Sequence, residues 1–479
     1  MIKNFISEIL LEMLGFEPTN SQWRLISKLS GYIKSNYSRQ MFLIFGYAGT
    51  GKTTMISSLV KSLKKLNSKF VLLAPTGRAA KVLSSYCESS AYTIHKKIYR
   101  QKSTKDIFSE FVLDRNLHKN TYFIVDEVSM ISNATTEQNL FGTGRLLEDL
   151  IDYVFEGKNC KLLFIGDTAQ LPPIGLEISP AMDHQILESL NLNVEFEILT
   201  DVVRQSLESG ILYNATKLRK SISDFNDISF DNLIKFETQN FEDIFRLNGN
   251  DLIEEISNSY DIAGIEETII VCRTNKRANR YNQGIRKTIL WREDEISAGD
   301  LLMIVKNNYF WTEENEFMDF IANGDIVEVM RIEKYEELYG FRFAHVCLRF
   351  VDYDNVEIDT IILLDTLSAE TASLSSEDSK KLFMTIAEDF QDIRSRKKKY
   401  QKVIDNQYFN ALQVKFAYAV TCHKSQGGQW KNVFVDQGYI IDNMINIEYL
   451  RWLYTAITRS TEKLYLVNFA DKFYEKELW

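Results

Sequence analysis

The sequence contains few prolines and cysteines, and it lacks any long apolar run. All five prolines precede residue 181, so no proline-rich linker marks a domain boundary in the rest of the chain. The five cysteines are far apart and form no C-x-x-C pair, which argues against a zinc site or a disulfide framework and favours a reducing, cytoplasmic location. No apolar stretch approaches the roughly 20 residues that span a bilayer, so we expect no membrane segment.

The charge balance is acidic, with 66 Asp and Glu against 56 Lys and Arg and a formal net charge of −10. Such a total argues against a protein that coats nucleic acid without specificity, but it leaves room for a local basic groove. The 479 residues are 45% hydrophobic and 25% charged, which is typical of a globular protein with about three domains. Composition therefore leaves the partner open.

Residues 46–53 read G-Y-A-G-T-G-K-T, a complete G-x-x-x-x-G-K-[ST] phosphate loop. An apolar run at 41–45 predicts a buried strand before it, and apolar residues at helical spacing predict a helix after it. In this unit, backbone N–H groups and the helix amino terminus bind the β- and γ-phosphates. Lys52 is predicted to reach those phosphates, and the Thr53 hydroxyl to bind Mg²⁺. The nucleotide-binding candidates are Gly46, Gly49, Thr50, Gly51, Lys52, Thr53 and Thr54.

Two further strand-like runs, 122–125 and 161–165, also end in polar residues. The first is followed by Asp126 and Glu127, and the second by a turn that leads to Gln170. Polar groups at the carboxyl ends of parallel strands meet at one edge of a sheet. Asp126 is predicted to complete the magnesium site, Glu127 to orient and polarise the attacking water, and Gln170 to sense the γ-phosphate. The residues alone thus predict an α/β fold that hydrolyses a nucleoside triphosphate.

Six segments occur in the order found in superfamily 1 helicases, and they are most similar to the 5′-to-3′ branch that includes RecD and Dda. They are GYAGTGKTT (46–54), APTGRAAKVLS (74–84), VDEVSMIS (125–132), GDTAQLPPIG (166–175), AVTCHKSQGGQW (419–430) and LYTAITRSTEKL (453–464). The resemblance implies two RecA-like parallel-sheet domains, a small pin insertion in the first and an SH3-like β-barrel insertion in the second. The expected ranges are 1–97 and 121–200 for the first domain, 98–120 for the pin, 201–284 and 412–479 for the second domain, and 285–411 for the barrel with a charged helical segment.

The resemblance also implies that residues outside the phosphate loop serve the ATP site. Gln22 is expected to read adenine, although it also suits an ordinary position at the start of a helix. Arg204 and Arg459 match arginines that reach across the cleft to the γ-phosphate; a surface ion pair is the alternative for each. The full catalytic set is Lys52, Asp126, Glu127, Gln170, Arg204 and Arg459.

The remaining motif residues are expected to face nucleic acid and to bind phosphates without reading bases, so that binding is sequence-independent and salt-sensitive. They are Pro75, Thr76, Arg78, Thr93, His95, His423, Lys424 and Ser425. Each histidine is as well explained by a satisfied, partly buried imidazole. In the pin, Phe108 and Phe111 are expected to stack on a terminal base pair or to belong to the hydrophobic core.

These expectations describe an ATP- and Mg²⁺-dependent motor that translocates 5′-to-3′ on single-stranded DNA and unwinds duplex at junctions. One alternative is an ATPase of the same fold that remodels RNA or RNA–protein complexes, because phosphate contacts do not distinguish the two substrates. The other is a nucleotide-dependent binding switch that never separates strands. The polarity rests on the resemblance, and the sequence indicates no protein partner.

Overall fold

The structure is a computed structural model that describes residues 2–101, 111–134, 142–202, 208–225, 234–308, 310–312, 320–351, 353 and 355–475. These residues form two parallel sheets flanked by helices, a closed barrel and a short two-stranded pair. No helix within these ranges is long and apolar enough to cross a membrane.

Among the described residues of the first 200 there are eight strands, of which six form one parallel sheet. The strands are β1 (Gln40–Gly46), β2 (Lys69–Ala74), β3 (Ala91–Thr93), β4 (Tyr99–Gln101), β5 (Phe111–Leu113), β6 (Thr121–Val125), β7 (Lys161–Gly166) and β8 (Asn193–Leu199). The helices are α1 (Ile2–Leu14), α2 (Asn20–Lys34), α3 (Lys52–Lys65), α4 (Gly77–Cys87), α5 (Ile94–Ile98), α6 (Leu146–Glu156) and α7 (His184–Ser189). The sheet order is β3-β2-β6-β7-β1-β8.

Helices cover both faces of this sheet, which explains why its inner strands are apolar along most of their length. In β1, Phe42 and Ile44 pack with α1, α2 and α3, whereas Met41 and Leu43 pack with α6 on the opposite face. Successive strand residues point to opposite faces, so one apolar run serves two cores. This three-layer arrangement places the carboxyl ends of β1, β6 and β7 at one edge, in agreement with the predicted RecA-like fold.

The predicted pin begins as an antiparallel pair, in which Tyr99 faces Leu113 and Gln101 faces Phe111. Phe111 is only 7% exposed and belongs to the same core as Ile98. In this conformation the side chain packs in the core, and its expected contact with a base pair stays a prediction. Phe108 lies outside the described residues.

The second half of the chain contains a second parallel sheet and the barrel. Its strands are β9 (Ile244–Leu247), β10 (Thr268–Cys272), β11 (Leu301–Ile304), β12 (Ile326–Leu338), β13 (Phe341–Phe350), β14 (Val356–Leu363), β15 (Leu412–Phe416), β16 (Ala419–Thr421), β17 (Trp430–Asp436) and β18 (Ser460–Val467). Its helices are α8 (Gly210–Ser223), α9 (Leu252–Ala263), α10 (Asn275–Thr288), α11 (Asp365–Ser368), α12 (Ser376–Glu388), α13 (Arg396–Ile404), α14 (Cys422–Ser425) and α15 (Ile447–Ile457). The parallel sheet has the order β16-β10-β17-β18-β9, and β11 to β15 close the barrel.

The barrel confirms the predicted small β-domain, but its limits differ from the expected ones. The predicted limit at 284/285 falls inside α10, which continues to Thr288. The limit at 411/412 is also wrong, because β15 is the fifth strand of the barrel, where it pairs with β11 and β14. The second domain resumes at β16. One apolar stretch of sequence therefore contributes a strand to the barrel and a strand to the second parallel sheet.

A buried ionic cluster joins the barrel to the second domain. Asp300, fully buried just before β11, pairs with Arg286 of α10 at 3.0 Å and with Arg292 at 2.8 Å. The Tyr418 hydroxyl donates to the same carboxylate at 2.9 Å. Two cations and a hydroxyl thus satisfy one buried acid at the junction, as a buried charge requires.

Candidate active site

The phosphate loop connects β1 to α3 through two glycines in the left-handed region. Gly49 has φ +73° and Gly51, immediately before the helix, has φ +80°, conformations that glycine adopts without a steric cost. The Thr50 hydroxyl donates to the Tyr47 carbonyl at 2.8 Å and fixes the turn. A Cβ atom on Gly46 would lie 2.6 Å from the Lys52 Cγ atom, so this position also needs glycine.

The loop opens into a cavity of about 370 Å³ that lies between the two parallel-sheet domains. Nine predicted site residues line it: Gly49, Gly51, Lys52, Thr53, Thr54, Asp126, Glu127, Gln170 and Arg459. The second domain contributes further residues, which are Leu212, Gly427, Gln429, Thr458 and Ser460. The structure therefore brings together groups that are more than 400 positions apart in the chain. The hydrogen bond from the Ala48 N–H to the Tyr454 hydroxyl, for example, joins residues 406 positions apart.

Asp126 and Glu127 follow β6 and line the cavity on the side of the first domain. The Glu127 N–H donates to the Asp126 Oδ1 atom at 2.9 Å, and the Tyr86 hydroxyl donates to Oδ2. Burial raises the pKa of both carboxyl groups, and Arg459 opposes that increase for Glu127. Glu127 has φ +53°, a left-handed conformation that is uncommon outside glycine. The strand end thus holds one acid by hydrogen bonds and turns the next one toward the second domain.

Gln170 and Arg459 approach the same space from opposite domains. Gln170 is 6% exposed, and its Oε1 atom has no hydrogen-bond partner among the described residues. The Arg459 guanidinium lies 3.9 Å from the Glu127 carboxylate, Nη1 to Oε1, and its Nε–H donates to the Thr455 carbonyl at 3.0 Å. A buried polar atom without a partner and a buried cation both suit a charged ligand in this cavity.

Asp167, Tyr454 and Tyr86 are part of the site, but sequence reasoning missed them. Lys52 lies 3.5 Å from the Asp167 Oδ2 atom, and the Tyr454 hydroxyl of α15 donates to the same oxygen at 2.7 Å. Tyr86 belongs to the cavity lining through its contact with Asp126. Asp167 lay within a recognised motif, and Tyr454 lies five residues before Arg459, but no local pattern indicates that they meet.

Gln22 does not line the cavity, although it touches the phosphate loop. It is fully buried, accepts from the Thr19 N–H at 3.0 Å and donates to the Thr50 carbonyl at 3.2 Å. The structure thus places it in the capping box at the start of α2, with its amide bound to the back of the loop. Its expected contact with adenine stays a prediction, as does the role of Arg204, which lies outside the described residues.

The predicted nucleic-acid residues of the first domain lie near α4 and α5. Thr76 caps α4 by accepting from the Ala79 N–H at 3.2 Å, and Pro75 precedes it. Arg78 lies 4.2 Å above the Trp430 ring and donates to the Gln429 carbonyl at 3.2 Å, so it bridges to the second domain. These three residues are partly exposed.

The second group is formed by Thr93, His95, His423, Lys424 and Ser425. Burial lowers the pKa of His95 to about 4 and also lowers that of His423, so neither imidazole is a cation at neutral pH. Lys424 donates to the Asn323 side chain of the barrel, and burial, with Lys415 nearby, lowers its pKa to about 8.

Two residues of that group are not presented to a ligand in this conformation. Ser425 is fully buried and donates to the Cys422 carbonyl at 2.8 Å. Thr93 is 6% exposed, and its hydroxyl caps α5 by accepting from the Lys96 N–H at 3.2 Å. Both hydroxyls serve helix ends in this conformation, and their expected phosphate contacts stay predictions.

The fold and the shared cavity define a P-loop nucleoside triphosphatase whose site lies between two RecA-like domains. The family model described as an AAA domain matches residues 21–221, and the model of the UvrD-like helicase C-terminal domain matches residues 416–467. With these motifs and relatives, the chain belongs to the superfamily 1 helicases, in the 5′-to-3′ branch with RecD, Dda and Pif1.

Individual relatives are distant but extend along much of the chain. An uncharacterized protein of Acanthamoeba polyphaga mimivirus is 25% identical over 91% of this chain and 97% of that protein. The ATP-dependent DNA helicase Dda of Enterobacteria phage T4 is 25% identical over 54% of this chain and 55% of its own, so the match spans about half of that relative. The crystal structure of Pif1 helicase from Bacteroides with ADP-AlF3 and single-stranded DNA has 15% identity and a TM-score of 0.47, covering 96% of this chain and 95% of the other.

Proposed function

We propose that the protein is an ATP-dependent DNA helicase that translocates 5′-to-3′ on single-stranded DNA and unwinds duplex DNA. The observation that carries the proposal is the position of Arg459. This second-domain side chain is 4% exposed and lies 3.9 Å from Glu127, inside the cavity that the phosphate loop forms in the first domain. Hydrolysis at such a site depends on the relative position of the two domains, which is what a motor requires.

The groups around the cavity support a direct hydrolysis of ATP. The Glu127 carboxylate would accept a hydrogen bond from a water molecule that attacks the γ-phosphorus, while the bond from that phosphorus to the leaving ADP oxygen breaks. Lys52 and Arg459 would stabilise the charge that spreads over the phosphoryl oxygens, and the Gln170 amide would orient the water or an oxygen. The products are ADP and inorganic phosphate.

The chemistry of the cavity also suits a magnesium ion. Thr53 and Asp126 line it together and offer the hard oxygen atoms that Mg²⁺ prefers. When bound, Mg²⁺ would supply positive charge that partly neutralises the phosphates of the nucleotide. Tyr86 would keep the Asp126 carboxylate oriented through its hydroxyl. The cytoplasmic location expected from the cysteine pattern stays a prediction.

Translocation would use the surface that links α4, α14 and the barrel. Arg78 and Lys424 lie on this surface. Arg78 of the first domain contacts Gln429 in the second domain, and Lys424 of the second domain contacts Asn323 in the barrel. A change in the separation of the two domains would therefore change the spacing of these cations. Alternating grip on successive phosphates would follow, without any reading of bases.

The first experiment is steady-state ATPase with oligo-deoxythymidine, the matching oligo-uridine, blunt duplex DNA or no nucleic acid. We expect strong stimulation by single-stranded DNA and loss of that activity in Glu127→Gln. Preference for oligo-uridine would replace the proposal with RNA remodelling, and absence of stimulation by any of them would leave a nucleotide switch.

Polarity is tested separately on duplexes that carry only a 5′ tail or only a 3′ tail. We expect ATP-dependent strand separation from the 5′-tailed substrate and little from the 3′-tailed one. Efficient unwinding of the 3′-tailed duplex alone would refute the direction while keeping the helicase activity.

A further inference from the structure

The Tyr454 hydroxyl makes two hydrogen bonds, and both cross from the second domain to the first. It accepts from the Ala48 N–H, in the phosphate loop, at 2.8 Å and donates to the Asp167 Oδ2 atom, after β7, at 2.7 Å. The side chain is 1% exposed, so water does not compete for these bonds. Burial and the Asp167 charge raise the pKa of Tyr454 far above its ordinary value, which keeps the hydroxyl protonated as a donor.

The oxygen that accepts from Tyr454 is also the one that faces Lys52. The distance from the Lys52 Nζ atom to Asp167 Oδ2 is 3.5 Å. Because the phosphate-loop lysine is expected to bind the nucleotide phosphates, ATP would draw this cation from the carboxylate. The charge around the Tyr454 hydroxyl therefore differs between the nucleotide-free and the ATP-bound phosphate loop.

A short path connects this hydroxyl to the arginine at the centre of the proposed reaction. Thr455, the next residue of α15, accepts from the Leu171 N–H of the first domain at 2.8 Å. The Thr455 carbonyl in turn accepts from the Arg459 Nε–H at 3.0 Å. Tyr454 and Thr455 thus fix the end of α15 against the first domain, and that end determines where the guanidinium lies.

A second contact from the second domain involves the same part of the phosphate loop. Arg219 of α8 lies with its Cζ atom 4.3 Å from the centre of the Tyr47 ring. Tyr47 and Ala48 are adjacent, so both contacts from the second domain fall on the tip of the phosphate loop and not on its phosphate-facing glycines.

We propose that Tyr454 is a positioning residue, whose hydroxyl couples the nucleotide state of the phosphate loop to the placement of Arg459. This inference rests on the proposed function, since it concerns ATP hydrolysis between the two domains. Tyr454 itself neither attacks nor protonates the nucleotide. Its loss should reduce the rate of hydrolysis while leaving ATP binding nearly intact.

The test is Tyr454→Phe, which removes one oxygen and keeps the ring. Its matched control is Tyr449→Phe on the same helix, where the hydroxyl is buried but accepts from Gln437 inside the second domain at 3.0 Å. We expect Tyr454→Phe to lower kcat for ATP by about 10- to 100-fold, the size of effect that small misplacements of catalytic groups produce, with less than about threefold change in the Kd for fluorescent ADP. Tyr449→Phe should change neither.

The outcomes separate this inference from the proposed function. Wild-type protein without DNA-stimulated turnover would refute the proposed function, and the same kcat comparison would then be made on basal hydrolysis. Normal kcat in Tyr454→Phe would overturn the coupling role in either case. Equal losses in both tyrosine variants, with equally lowered Tm, would also overturn it, because a general packing defect would then explain the result.

Discussion

Arg459 and Glu127 face each other across the boundary between the two RecA-like domains, with 3.9 Å between Nη1 and Oε1. The Arg459 guanidinium donates to the Thr455 and Gly428 carbonyls. The left-handed backbone conformation of Glu127 after β6 sets the direction of its side chain. In this structure the cation contacts the acid that is expected to activate water. A γ-phosphate bound between them would compete for the guanidinium, so nucleotide binding and the arrangement of the two domains are linked.

Replacing Arg459 should abolish most hydrolysis. For Arg459→Ala we expect kcat to fall on the order of 10³-fold, the range measured for arginines that complete phosphoryl-transfer sites, with little change in ATP affinity. Arg459→Lys should recover little, because an ammonium group lacks the planar fork of donors. Arg331→Ala, which removes two exposed ion pairs of the barrel, is the control. Near-normal turnover in Arg459→Lys would show that charge alone suffices.

Glu127→Gln should spare ATP binding and lose hydrolysis, because a neutral amide polarises the attacking water far less than a carboxylate does. The pH dependence provides a second measurement. Burial raises the pKa of Glu127, so the ionised form is lost at a higher pH than for an ordinary glutamate as the solution is acidified. The wild-type kcat should therefore decrease as the pH is lowered, and the decrease should begin at a higher pH than for a glutamate with an ordinary pKa. A decrease of the wild-type kcat that is confined to the usual glutamate range, or unchanged turnover in Glu127→Gln, would remove this residue from the mechanism.

Lys52→Ala should remove the cation that is expected to bind the β- and γ-phosphates. We expect ATP turnover to fall by about 10²- to 10³-fold, as when one electrostatic group of a preorganised site is deleted. Lys61→Ala on the same helix is the control, since its amine only approaches the exposed Glu88 at 3.5 Å. If both variants retained full activity, the phosphate loop would not be the site of hydrolysis.

Asp300 should be essential for the junction of barrel and second domain. Asp300→Ala would leave Arg286 and Arg292 without their shared buried acid, which is expected to lower the free energy of unfolding by about 3–5 kcal/mol. Asp359→Ala breaks an exposed pair with Arg331 and should cost about 0–1 kcal/mol. Chemical denaturation of the two variants measures the difference. Equal, small effects would mean that water replaces the carboxylate in the cluster.

The sequence was sufficient for features that are encoded locally. The phosphate loop and the strand ends at Asp126 and Gln170 could be predicted because a few adjacent residues determine their geometry. Contacts between distant segments could not be predicted in this way. The hydrogen bond from Tyr454 to Asp167, for example, joins residues 287 positions apart. No residue pattern indicates that such groups meet.

The barrel limit was missed for a related reason. The apolar run that contains β15 and β16 has no proline or glycine between Phe416 and Ala419, yet β15 pairs in the barrel and β16 pairs with β10. Hydrophobic periodicity identifies a buried strand but not the sheet to which it belongs. Strand partners are decided by tertiary packing, which a single sequence does not display.

Substitution of Phe111 tests whether this side chain serves the hydrophobic core or contacts the duplex. It is 7% exposed and packs with the first-domain core, so Phe111→Ala should lower the free energy of unfolding by about 3–5 kcal/mol. Phe16→Ala, at a side chain that is 43% exposed, should change it by no more than about 0.5 kcal/mol. Because a core defect weakens the whole domain, Phe111→Ala should reduce ATPase and unwinding in parallel as the temperature approaches its lowered Tm. A variant with wild-type stability and ATPase but selectively impaired strand separation would instead place Phe111 at the duplex junction.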